Sequence, residues 1–119
     1  MSTMEIANLT LVLPFLALGL IFLIVGLIQL KFPPKKINHI YGYRTKNSMQ
    51  GQEIWDFAQQ FSAKEMVKGG CCFLVLAGIG TIVKLNEILG VSLMLILVIG
   101  FAIYLYNRTE KAIHKNFNT

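Results

Sequence analysis

The chain has 119 residues, room for a single domain, and 55% of them are hydrophobic against 14% charged. So apolar a composition exceeds what a core of this size can hide, which argues against an ordinary soluble domain. The net charge of +5 is not a nucleic-acid footprint either: Lys and Arg fall in the gaps between long apolar runs rather than in one patch, so no direct nucleic-acid partner is expected.

Leu9–Leu30 is interrupted only by Thr10, Pro14 and Gln29. It predicts a first membrane span of about 33 Å. Its leader, Met1–Asn8, has no Lys or Arg and carries Glu5, the reverse of the basic start of a cleaved signal peptide. Pro14 is read as one turn into the helix, where a missing N–H costs little, and Pro33-Pro34 as its stop.

Residues 31–65 predict a polar loop. Ser48 is placed to cap a short amphipathic helix over about 49–61. Ile54, Trp55, Phe57, Ala58 and Phe61 fall on one side of it, and Gln52, Glu53, Asp56, Gln59 and Gln60 on the other. Such a helix suits the membrane surface, with Trp55 as an interfacial anchor. Ser62-Ala63-Lys64-Glu65 has capping-box spacing. It predicts that the surface helix turns at Phe61–Ser62 and that a second span, 66–83, starts just beyond.

That span is the weakest by hydropathy and reaches about 27 Å only if Lys68 snorkels. Ala77, Gly78, Gly80 and Thr81 give it a small-residue face for close helix approach. Cys71 and Cys72 read as small apolar packing residues, since the span offers no metal partners. Ile88–Tyr106 predicts a third span of about 28 Å. Tyr104 and Tyr106 sit at its interfacial end, and 107–119 forms a tail. The expected fold is all-α: an integral membrane three-helix bundle with a loop that carries a short interfacial helix.

Basic residues set the direction. Seven lie in Lys31–Lys68, three more (Arg108, Lys111, Lys115) lie in the tail, and only Lys84 lies between the second and third spans. The positive-inside rule then puts the N-terminus outside and the loop and C-terminus in the cytoplasm.

No nucleophile–base pair, phosphate loop or metal-ligand spacing appears, so neither enzyme activity nor a cofactor or metal is expected; His39 and His114 read as surface residues. The predicted spans hold no ionisable residue at mid-depth, which argues against ion-coupled transport. A passive oligomeric pore, a homo-oligomer and an accessory subunit of a larger membrane complex stay open. Beyond the lipid bilayer, the informative segment is Pro34–Phe61. Gly42 between two tyrosines suggests a tight turn. Arg44 offers a fork that suits a carboxylate such as Glu53 or Asp56, a lipid phosphate, or the carbonyls of a helix end.

Pro34, Asn38, Gly42-x-Arg44-Thr45, Ser48, Glu53 and Trp55 together resemble the signature of the SdpI family of bacterial membrane immunity proteins. That pattern runs Pro…Asn…Gly-x-Arg-Thr…Ser/Thr…Glu…Trp in a cytoplasmic loop between two spans. The chain departs from it at Lys46, where proline is common, and at Gly51 and Ser62, where serine and glycine are common. Its length is that of a three-span form. The resemblance implies a bacterial inner-membrane protein whose partner is a membrane-active peptide toxin, resisted, or a cytoplasmic regulator, recruited through the eight signature residues.

Overall fold

In the computed structural model three α-helices follow one another: α1 (Thr3–Lys31), α2 (Gln52–Gly80) and α3 (Glu87–Phe117). The structure describes residues 3–117, with side chains from residue 9 onward. The molecule is a rod of 56 × 24 × 21 Å. The all-α expectation holds, with two corrections in the middle and one near the start.

The first correction is that α2 is one unbroken helix of 29 residues, where the sequence reading expects a short surface helix, a turn at Phe61–Ser62 and a separate span. Nothing at that position forces a break: Gln-Phe-Ser-Ala contains no proline or glycine. Ending a helix there would strand backbone donors and acceptors in a buried place. The capping-box spacing is used differently. Ser62 Oγ donates to Gln59 O of its own helix (3.3 Å) and accepts from Gln29 Nε2 (3.2 Å). The second correction is that Ser48 caps nothing on α2, whose N-cap is Gly51 with no side-chain cap bond. The third concerns Pro14, which lies deep inside α1 rather than in its first turn.

Two packing regimes divide the rod. Around Phe15, Phe73 and Ala77, ring pairs Phe15–Phe73 (5.9 Å), Phe22–Phe73 (5.4 Å) and Phe22–Phe101 (5.3 Å) fill the narrow space between helices. Large apolar residues of α1 and α3 face outward there, among them Leu13, Ile21, Ile24, Ile96 and Ile99. At the other end Trp55, Ala58, Ala63 and Ile113 are completely excluded from solvent, and so are Ser48 and Thr109. This end is packed like the core of a soluble protein.

α1 and α3 are each long and apolar enough to cross a membrane. With their apolar surfaces outward, they support membrane association. The charged first half of α2 keeps that helix from meeting the same standard. α2 ends at Thr81, whose Oγ1 donates to Gly78 O (2.7 Å), and Asn86 Oδ1 accepts the Leu89 N–H (2.8 Å) as the cap of α3. The former tail is not separate: α3 continues as helix through Phe117.

Of the small residues singled out by sequence, Ala77 and Gly80 are buried, a Cβ on Gly80 lying 3.3 Å from Val12 Cγ2, but the closest approach of α1 and α2 is at other glycines. A Cβ on Gly70 would lie 2.5 Å from Leu23 N, and one on Gly26 2.9 Å from Val67 N, whereas a Cβ on Gly78 meets nothing within 4 Å. Cys71 and Cys72 lie exposed on the surface rather than in the packing. Gly70→Ala should lower stability in detergent by about 1–3 kcal/mol, the usual cost of overpacking. Gly78→Ala should leave it unchanged or slightly raised; thermal melts of both variants compare the two faces.

Candidate functional site

The segment between α1 and α2 has no regular structure, so its backbone polar groups need partners from elsewhere. Side chains supply them. Asn38 Oδ1 accepts the N–H groups of Ile40 (2.9 Å) and Tyr41 (2.7 Å), while its Nδ2 donates to Lys36 O (2.8 Å). This is the local turn for which asparagine is suited. Gly42 follows at φ +104°, a conformation that favours glycine. A Cβ there would also collide with Gln59 Oε1 and lie 2.8 Å from Pro34 Cγ.

Gln59 is 1% exposed and reads the Tyr43 backbone from both sides. Tyr43 N–H donates to its Oε1 (2.7 Å), and its Nε2 donates to Tyr43 O (2.7 Å). Gln29 of α1 donates from Nε2 toward Gln59 O and Oε1 (both 3.1 Å), so one amide pair joins α1, the loop and α2. Thr45 and Ser48 then close a turn reciprocally: Thr45 N–H donates to Ser48 Oγ (2.8 Å), and Ser48 N–H to Thr45 Oγ1 (3.1 Å). Trp55 Nε1 donates to Pro34 O (2.7 Å). Trp55 is therefore a buried tie between α2 and the start of the loop, not an interfacial anchor.

The loop is fastened to α3 through Glu110, which is 8% exposed. Its Oε1 accepts from Tyr43 OH and Thr45 Oγ1 (2.7 Å each) and its Oε2 from Asn47 Nδ2 (2.6 Å). Burial alone would raise the Glu110 pKa, but the bonds from Tyr43, Asn47 and Thr45 outweigh it and hold the carboxyl below its ordinary 4.5. Burial first, then the bond to Glu110, pushes the Tyr43 phenol well above its ordinary 10.0.

A second buried carboxylate, Glu65 (2% exposed), accepts from Tyr104 OH (3.0 Å), with Lys68 Nζ at 3.5 Å and Arg108 Nη2 at 3.7 Å.

Of the eight signature residues, Pro34, Asn38, Gly42, Thr45, Ser48 and Trp55 are thus brought together in one hydrogen-bonded head. Arg44 is different. Its side chain is exposed and donates from Nη1 to His39 O. It pairs with neither Glu53 nor Asp56; Asp56 instead accepts from Gln52 Nε2 (2.7 Å), which also donates to Lys35 O (2.6 Å). Glu53 stands exposed in the first turn of α2, apart from the cluster, where a negative charge suits the helix N-terminus. Gln29, Gln59, Glu65 and Glu110 are absent from the sequence-based site. A glutamine inside an apolar run and a glutamate in a helical tail were the available signals, but only the fold shows what they meet. Among the described residues no group of three or more His, Cys, Asp or Glu side chains could hold a metal ion.

Trp55→Phe should cost about 1–3 kcal/mol, because it leaves Pro34 O buried without its donor. Denaturant titration of the purified protein reads this. The Glu110 contribution is present above pH 4.5 and fades as pH falls through the lowered folded value. The Tyr43 contribution is intact below pH 10 and fades as pH rises beyond it. A melting-temperature profile should therefore fall at both ends, and Glu110→Gln should flatten the acid limb.

Comparison with known sequences places this head in context. The SdpI/YfhL protein family matches residues 35–107, which takes in most of the loop, all of α2 and the apolar part of α3. "Uncharacterized protein YfhL" of Bacillus subtilis (strain 168) is 40% identical over 93 residues, 78% of this chain and 79% of the relative. No solved structure matches the chain. With more than half of its length matched, including Asn38–Trp55 and Gln59 of the hydrogen-bonded head, the chain belongs to the SdpI/YfhL family.

Proposed function

We propose that this protein is a multi-pass protein of the bacterial inner membrane that presents its loop head to the cytoplasm. In this reading the head serves immunity against a membrane-active peptide toxin or recruits a cytoplasmic regulator. The chain crosses three times, through the apolar part of α1, the second half of α2 and Ile88–Tyr106. Charge supports the orientation: the basic residues of Lys31–Lys68 and of Arg108–Lys115 gather at the end that carries the head, and Lys84 alone marks the other. The second half of α2 is short for a span. Lys68 keeps its head group in contact with solvent, consistent with the inner boundary of the bilayer, and Thr81 and Ile82 turn the chain at the outer one.

The observation that carries the functional reading is the division of labour within the signature. Six of its residues hold the loop in one shape, while Arg44 is left on the surface of that shape. An exposed guanidinium on a rigid support suits recognition of an anionic or carbonyl-rich partner. Expression in a bacterium sensitive to a membrane-active peptide toxin should raise survival, and Arg44→Ala should abolish that gain with the inserted amount of protein unchanged. Equal protection by wild type and Arg44→Ala would remove the signature loop from the mechanism.

A further inference from the structure

Behind Arg44 lies a cavity of about 440 Å³. Gln29 and Ser62 form its polar part, and Val25, Met66 and Leu105 its apolar wall, with the 40–45 loop segment above. All three helices contribute to it. It has the two-part character of a site for an amphiphile. No acidic side chain lines it, and Arg44 does. The carboxylates bonded to or next to its lining residues are already engaged: Glu110 by Tyr43, Thr45 and Asn47, and Glu65 by Tyr104, Lys68 and Arg108. The loop backbone adds donors of its own: the N–H groups of Gly42 and Arg44, on either side of the Tyr43 N–H given to Gln59, meet no acceptor among the described residues.

We propose that this cavity is a binding site for an anionic phospholipid of the adjoining leaflet. One acyl chain lies against Val25, Met66 and Leu105, and the phosphate meets the Arg44 guanidinium and the neighbouring backbone N–H groups. Three features select this occupant. The cavity sits where the apolar part of α1 ends, two residues before Lys31, which is the depth of a headgroup. Its charge complements a phosphate, for which a guanidinium fork is well shaped. Its wall is apolar enough to hold a chain but offers no second charge for a zwitterionic head. The proposal rests on the membrane reading above, but not on any role in immunity. Loaded in this way, the site makes the head's outer surface depend on the lipid beneath it.

Native mass spectrometry of the full chain, released from detergent after delipidation and titration with phosphatidylglycerol or phosphatidylcholine, tests it. Wild type should retain one phosphatidylglycerol in preference to phosphatidylcholine. Arg44→Ala should weaken that binding about tenfold, roughly one charge-assisted contact, and Arg44→Lys should restore part of it. Met66→Trp, which fills the wall without touching Arg44, should block binding while circular dichroism shows an intact helix content. Lys68→Ala, on a different face, should leave it unchanged. Equal retention of the two lipids, or unchanged binding by Arg44→Ala and Met66→Trp, would overturn the site. No toxin is present in this assay, so failure of the immunity reading would leave its result intact. Protection that survives a Met66→Trp variant unable to bind lipid would count against a lipid role in immunity and leave the site standing.

Discussion

The side-chain amide of Gln59 acts as a piece of backbone. It accepts from the N–H and donates to the C=O of the same residue, Tyr43, as a neighbouring strand would, while Gln29 of α1 donates to it from the other side. An irregular loop cannot normally be drawn against a helix, because its polar groups would lose water without finding partners. Gln59 removes that obstacle at one residue, and the rest of the head follows. Gly42 must be glycine-like because Gln59 fills the space where a Cβ would stand. Tyr43 is then held at the angle from which its hydroxyl reaches Glu110, and Thr45 arrives beside it.

The molecule has two packing regimes, and the apolar one suits membrane association. Along the apolar parts of α1 and α3, large aliphatic side chains face outward and a thin line of phenylalanines suffices as a core. With so few aliphatic groups hidden, packing there rests on close backbone approach at Gly26 and Gly70, the device on which helices rely in an apolar surrounding. Beyond the apolar stretch the rules reverse. Trp55, Ala58, Ile113 and the buried polar residues form a dense head stitched by hydrogen bonds. The two unbroken helices α2 and α3 run through both regimes and make the head rigidly continuous with the bundle.

That continuity changes the meaning of the signature residues. Trp55 and Ser48 look in isolation like an interfacial anchor and a helix cap; both are fully buried ties that shape the loop. Arg44 is what the shaped loop displays. The carboxylates that the sequence offered it are engaged elsewhere or stand apart: Asp56 accepts from Gln52, and Glu53 lies free of the cluster in the first turn of α2.

Composition, hydropathy and charge placement were enough to read an all-α chain, the apolar segments of α1 and α3, and a loop in which the informative residues lie, but they split α2 into a short surface helix and a separate span. These are local or summed properties of the chain, and each residue contributes to them whatever it later touches. The unbroken course of α2 was not legible, because Ser62 and Glu65 carry the spacing of a cap and only their partners on the other helices, Gln29 and Tyr104, show that they serve another purpose. Nor was the role of Glu110, placed by sequence in a tail, since its three donors lie more than sixty residues away along the chain. Sequence alone therefore determined which segments prefer an apolar surrounding and where the loop signature lies. The tertiary structure decided which polar side chains are buried and with whom, because the need to satisfy a buried donor or acceptor is settled by contacts distant in the chain.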